Sequence, residues 1–158
     1  MVKTLKVGLF FIVFSVGSLA QFYSGTERKQ NNSQYGKTQP NYSVTVTNDS
    51  YLIQAVNQQK NVHYLEAANI QVTKLLEDDT QGREHQKFVA RLSNGKVVQI
   101  VSNLDMCERI PVSIGDVVSV GGEFIWTKNG GLVHWVHRDP KGIRKDGYVA
   151  LKGKFYCR

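Results

Sequence analysis

Cysteine and proline are scarce, at two and three residues in 158, and the short motifs of several common chemistries are missing altogether. There is no Cys-x-x-Cys and no His-Glu-x-x-His, which leaves paired-thiol redox sites and helix-borne zinc proteases unsupported. There is no Gly-x-Ser-x-Gly elbow, and no Gly-rich loop opens a helix, so serine hydrolase and nucleotide-cradling signatures are absent as well. No triad of nucleophile, base and orienting acid can be assembled. Long apolar runs are also missing. The longest uncharged, largely apolar stretch is Val7 to Ala20, 14 residues, short of the ~20 that a membrane-spanning helix needs.

That stretch suits another purpose. Lys3 and Lys6 make a basic start, and Ser18-Leu19-Ala20 puts small residues at both positions that a signal peptidase reads. Residues 1–20 are therefore expected to be a signal peptide. An uncleaved anchor in the inner membrane is the alternative, helped by Phe22 and Tyr23. Both place the globular part outside the cytoplasm, periplasmic or secreted. In an oxidising compartment Cys107 and Cys157 are free to pair across 50 residues. One buried thiol and one near a frayed C-terminus is the other reading. The formal charge is +7, and losing Lys3 and Lys6 leaves +5. That favours anionic partners such as nucleic acid, lipid headgroups or acidic glycans, although it is also an ordinary solubility charge. Arg138, Lys141, Arg144, Lys145, Lys152, Lys154 and Arg158 concentrate the excess late in the chain.

Residues 21–48 are polar and without apolar periodicity to about Tyr42, and are expected to form a flexible linker. Ser43 to Thr47 alternates as a short strand would. From Asp49, a candidate N-cap, Leu52, Ala55 and Val56 recur at helical spacing, which predicts one short helix to about Lys60. Period-two alternation then predicts a strand from Val62 to about Leu76. A hairpin of His85–Leu92 and Val97–Asn103 turns at Asn94-Gly95. A second, of Asp116–Lys128 and Gly131–Arg138, turns at Asn129-Gly130. A last strand, Tyr148–Tyr156, is interrupted at Gly153. The expectation for residues 49–158 is a mainly β domain: a small OB-like antiparallel barrel of five to six strands with one short N-terminal helix. The run Ile114-Gly115-Asp116-Val117-Val118-Ser119-Val120-Gly121-Gly122 resembles the fourth strand of OB-fold proteins.

With two-residue turns, Phe124 lies opposite Trp135, Trp126 opposite Val133, and Gln86 opposite Asn103. Phe124, Trp126 and Trp135 form either core or a stacking platform for bases or sugars. Gln86 and Asn103 form either a structural amide pair or a ligand-orienting one. Alternation sends His134 and His137 to opposite faces unless a bulge intervenes. His137 and Asp139 share a face, and Asp139 either orients the imidazole, co-ligates a metal or caps the Pro140 turn.

Several phrases carry a family resemblance: Gly82-Arg83-Glu84-His85-Gln86-Lys87-Phe88, Asn103-Leu104-Asp105, Arg109-Ile110-Pro111, Gly115-Asp116, Gly122-Glu123-Phe124-Ile125-Trp126, Gly130 to Pro140 and Gly147-Tyr148. From about Ile70 to Tyr156 the chain resembles an uncharacterised family of small exported or membrane-anchored bacterial proteins, a domain of unknown function. The resemblance brings no activity with it. It does imply histidines where this chain has Ser102, Arg138 and Arg144.

Two functions are expected from different classes. In the first, an exported binding module takes an anionic or polymeric ligand, single-stranded nucleic acid leading, through Gln86, Asn103, Trp135, His137, Arg138, Lys141 and Arg144. In the second, a divalent metal held among His85, His134, His137 and Asp139 serves a hydrolase or nuclease, with His85, His137 and Asp139 as the catalytic candidates. Any membrane contact would run through an uncleaved N-terminal segment.

Overall fold

A computed structural model describes residues 43–79 and 82–158. The expected signal segment and the linker as far as residue 42 lie outside them. Among the described residues no helix is long and apolar enough to cross a membrane. Ser43 to Thr47 form no strand, and the first element is α1, Ser50–Gln58. It buries Leu52, Ala55 and Val56 as its spacing predicts. Asp49 stands before it but does not cap it. Its carboxylate instead accepts from the Ser93 N–H at 2.7 Å and the Ser93 hydroxyl at 2.8 Å, tying the helix to a distant turn.

The remainder is mainly β. Seven strands follow, β1 Val62–Asp79, β2 His85–Arg91, β3 Val97–Asn103, β4 Val117–Thr127, β5 Gly130–His134, β6 Tyr148–Leu151 and β7 Lys154–Tyr156. The extra strand arises because the last expected one turns back at Lys152-Gly153, both at positive φ, and becomes the β6–β7 hairpin. The strand order is β1-β2-β3-β5-β4-β6-β7, with β1 also paired to β4. Five strands therefore form a ring, β1-β2-β3-β5-β4 and back to β1. Only the β3–β5 step in it is parallel.

The length of β1 makes this closure possible. Its first half pairs with β4, from Val62 to Gln71, and its second with β2, from Gln71 to Asp79. Gln71 is the shared position, opposite both Arg91 and Val117. A register shift between Ala67 and Ile70 bends the strand there. Ala67 and Ala68 are both buried, and Asn69 adopts the left-handed conformation (φ 61°) that asparagine tolerates better than most residues. Beyond the shift the expected alternation holds, with Ile70 and Val72 inside. The core gathers Leu65, Ile70, Phe88, Ile100, Val120, Phe124 and Val133, and α1 packs into it through Leu52 and Val56.

Both Asn-Gly sites turn the chain where expected, but neither sets the expected register. The first hairpin uses a three-residue loop, Ser93-Asn94-Gly95, closed by Leu92 and Lys96, with Gly95 at φ 84°. Every pairing moves by one residue: Gln86 faces Ser102, and His85 faces Asn103. In the second hairpin the turn residues are Lys128 and Asn129, and Gly130 already pairs with Thr127. This shift is two residues, so the faces survive while the partners change. Phe124 opposes Val133, not Trp135, and Trp126 opposes Gly131. Gly131 has to lack a side chain, because a Cβ there would meet the Phe124 ring at 2.6 Å.

Cys107 and Cys157 are joined in a disulfide, which ties the β3–β4 connection to the C-terminal residues. Gln86, buried, secures the same connection from the other side. Its amide donates to the Ile110 carbonyl and accepts from the Ile110 N–H, both at 2.8 Å. In the chain-entropy picture a 50-residue crosslink stabilises by about 4 kcal/mol. The Cys107→Ser/Cys157→Ser double variant should lose stability of that order in urea unfolding. Wild type under reducing agent should match it, and equal stability of the oxidised and reduced proteins would contradict the estimate.

Candidate functional site

The seven-residue motif His134 to Pro140 straddles the point where β5 ends. Four more strand residues are expected after His134, to Arg138, and the structure corrects this. β5 stops at His134 because Trp135 adopts φ 56°, a conformation that bulky side chains rarely take. The reversal undoes the alternation. Val136, which unbroken alternation would put on the same face as His134, is fully buried in the core. Trp135 is half-exposed instead of lying opposite Phe124.

Residues 135–147 form an excursion between two strands that share one edge of β4. β5 pairs with Glu123–Thr127 and β6 with Val118–Gly121, so the loop leaves and returns beside Gly121 and Gly122. Its ends are stitched together, since the Gly147 N–H donates to the His137 carbonyl at 2.9 Å. A Cβ on Gly147 would clash with the Trp135 carbonyl. The Arg138 N–H donates to the carbonyl of Cys157 at 2.6 Å, which fixes the loop base to the disulfide-bonded end of the chain. Compact loops with joined ends are frequent sites of function.

Inside this loop the two carboxylates point inward. Asp139, only 5 % exposed, accepts from the backbone N–H groups of Ile143 and Arg144 at 2.7 Å and of Lys141 at 3.2 Å. These N–H donors, with the Arg144 charge, hold its carboxyl below the ordinary aspartate value. Asp146 accepts from the Asp139 N–H at 2.8 Å. Asp139 is thus the turn cap, with its oxygens engaged by the loop. Arg138, Lys141, Arg144 and Lys145 are left on the outside, all exposed.

His137 is 5 % exposed, against the expectation of a ligand-contacting edge. Its Nδ1 lies 2.7 Å from the Arg138 carbonyl, and its ring packs against Trp135 with centroids 4.7 Å apart. His134 lies on the outer face opposite Glu123. Glu123 gathers basic side chains there: Arg144 at 2.8 Å, His134 Nε2 at 3.3 Å and the exposed His63 at 3.8 Å. Burial holds the His134 imidazole below its ordinary value, and Arg144 and the other histidines nearby act the same way, while Glu123 only partly opposes them. Burial thus favours the neutral form of the His134 imidazole.

Two aromatic rings complete the site. The Arg144 guanidinium sits 4.6 Å from the centroid of Trp135, and the Lys145 ammonium 4.2 Å from that of Tyr64. Lys145 also reaches Glu66 at 3.2 Å. Between them lies a cleft of about 220 Å³ lined by His63, Tyr64, Trp135, Arg144 and Lys145. Tyr64 and Glu66 escape the sequence reading, and His63 reads there as a solvent-facing bystander, because β1 is distant in sequence from the loop. Glu123 is legible, as a carboxylate within an otherwise apolar strand able to pair with a nearby base, and it does pair with Arg144 and His134.

The other expected site residues are spent locally. His85 Nδ1 lies 2.9 Å from Asp79, whose carboxyl the histidine holds below its usual range, and Lys87 joins them at 3.5 Å. Asn103 faces His85 and accepts from the Asp105 N–H at 2.9 Å. Gln86 is the Ile110 clamp. His85, His134, His137 and Asp139, the expected metal ligands, have separate partners. Among the described residues no three His, Cys, Asp or Glu side chains gather as a metal group.

A family model matches residues 38–157, spanning the ring, the loop and the disulfide. The chain belongs to the family described as "Protein of unknown function (DUF3465)". No curated protein and no solved structure gives a significant match. For this family member the geometry above is therefore the source of any functional reading.

A carboxylate held low by folding stabilises the native state above its unfolded pKa, and that stabilisation is lost as pH falls through the folded value. Asp139→Asn should therefore unfold more easily than wild type at neutral pH. The gap should narrow as acid protonates Asp139 in wild type, which urea midpoints from neutral pH down through the acid range would show. A constant gap would argue that the charge is irrelevant to the cap.

Proposed function

We propose that residues 49–158 form an exported, OB-like binding module for an anionic polymer, with single-stranded nucleic acid the leading ligand. The ring order β1-β2-β3-β5-β4, with its one parallel step, supports the OB-like description. It is the arrangement expected of a five-stranded Greek-key barrel. The observation that carries the reading is the pair of cation-capped rings, Trp135 with Arg144 and Tyr64 with Lys145, on either side of one cleft. Single strands are held by this combination, in which flat rings accept bases and neighbouring cations accept phosphates.

The loop adds direction. Its acids are turned inward on backbone N–H groups, so Arg138 and Lys141 extend the positive border beyond the cleft. Arg144 and Lys145 are each paired with a carboxylate, but both pairs have an exposed cation, and exposed pairs are worth little in water. Exchanging Glu123 or Glu66 for a phosphate is consequently inexpensive. The signal-like residues 1–20 support a periplasmic or secreted location, or an anchored one if they are retained.

A labelled oligothymidylate should bind with an affinity that falls steeply as salt rises. Arg138→Ala and Arg144→Ala should each weaken binding, and each should reduce the slope of log K against log salt by about one. Arg144→Lys should keep the slope but lose affinity, because an ammonium cannot stack on Trp135 as a planar guanidinium does. Fluorescence anisotropy across a salt series reads both quantities. Absence of binding, or tight binding indifferent to salt, would overturn the proposal.

A further inference from the structure

A second cleft shares no residue with the first. β3 and β5 pair only at Gln99–Leu132 and Ile100–Val133, and before that point the strands part. The two hairpin tips and the end of α1 wall off a cleft of about 460 Å³ there. That lies within the ~300–1,000 Å³ of small-molecule sites.

The lining is apolar and amide in alternation. The register sets Val89, Gln99 and Leu132 side by side across β2, β3 and β5, all half-exposed. Gln99 is thus a single amide between two aliphatic side chains. Its side chain makes no hydrogen bond to any described residue, and neither do those of Gln59 and Asn129 at the rim. Val97 is 53 % exposed beside them, and the half-buried Trp126 contributes the one aromatic surface. Among the described residues no carboxylate lines the cleft, and one cation does: Lys96, which donates to the Asn57 side chain at 2.7 Å.

This chemistry narrows the occupant. A phosphate-bearing ligand would find a single cation already engaged. An extended peptide needs an open strand edge, and the unpaired stretch is only Val97–Val98 facing Gly130–Gly131, too short to seat an added strand. Unpaired amides donate and accept at once, as vicinal hydroxyls require, and aliphatic and aromatic surface suits the C–H faces of a pyranose. We infer that this cleft binds a neutral oligosaccharide, with Gln99 and Asn129 bonding its hydroxyls and Trp126, Val97 and Leu132 packing on its ring faces.

The test titrates cellotetraose and chitotetraose into the isotope-labelled full chain while following amide resonances. The expected result is saturable shifts confined to residues 95–99 and 126–132, unchanged by salt and by Arg144→Ala. Gln99→Leu keeps the side-chain size in an apolar row and should leave thermal stability intact while weakening binding about tenfold, one hydrogen-bonded amide's worth. Asn129→Ala should act in the same direction. The inference is overturned if neither sugar shifts these resonances, if Gln99→Leu binds as wild type does, or if oligothymidylate shifts this cleft in a salt-dependent manner. The first two outcomes leave the Trp135 cleft untouched, whereas the third would move the nucleic-acid site away from it.

Discussion

The bend in β1 is the constraint on which the rest of the molecule depends. One strand has to satisfy two neighbours, β4 along its first half and β2 along its second, with Gln71 serving both. Without the shift around Asn69 the strand would run straight and the sheet would stay open, with β2 and β4 as separate flanks. Closure in turn forces β5 between β3 and β4, which leaves β5 only five residues before the edge of β4 is needed by β6. The excursion 135–147 is what the chain does with the residues between. The candidate-site loop is thus a consequence of ring closure, positioned by the sheet and not by its own sequence.

What the loop's sequence does decide is which way its charges face. Thirteen residues with no regular structure would ordinarily be mobile, and mobile cations make a diffuse site. Here Asp139 gathers three N–H groups, Asp146 a fourth, and His137 and Val136 are buried beneath. The polar groups that could neutralise the loop from within are committed to its backbone. Its cations are therefore presented on a fixed base, tied through Arg138 to the disulfide-bonded C-terminal residues. The strained φ at Trp135 fits the same account. It turns one ring outward to receive Arg144 and the next side chain inward to hold the base.

Element by element, the sequence reads well where local chemistry dominates. The helix around Leu52, Ala55 and Val56, the alternation of Ile70 and Val72, and the chain reversals at Asn94-Gly95 and Asn129-Gly130 are all visible in it, as is the option that the two cysteines pair. It reads less well where one backbone angle changes everything downstream. Gly95 at positive φ adds a residue to the first loop and shifts Gln86 from Asn103 to Ser102. Gly130 pairs with Thr127 instead of turning, and Trp135 ends a strand that periodicity would prolong. None of these leaves a mark in side-chain patterning, because each belongs to a single dihedral. The meeting of His63 with Glu123, and of Tyr64 and Glu66 with Lys145, is invisible for another reason. It depends on β1 lying beside β4, a pairing made by the fold as a whole.

The charge distribution shows why the arrangement of the site matters more than its total. The described residues hold fifteen Lys and Arg against twelve Asp and Glu, a net +3 out of the +7 of the chain. A domain that weakly basic has little long-range pull on a polyanion, and non-specific attraction alone would be poor at physiological salt. Under the proposed function, binding then has to come from close contacts: a guanidinium already stacked on an indole, an ammonium already placed over a phenol, and a loop whose ordering cost is met during folding. Preorganisation of this kind raises affinity without raising net charge. It also leaves Glu123 to be shared among Arg144, His134 and His63. If a phosphate drew Arg144 away, Glu123 would keep the His134 and His63 imidazoles as neighbours and lose only an ion pair whose cation is exposed.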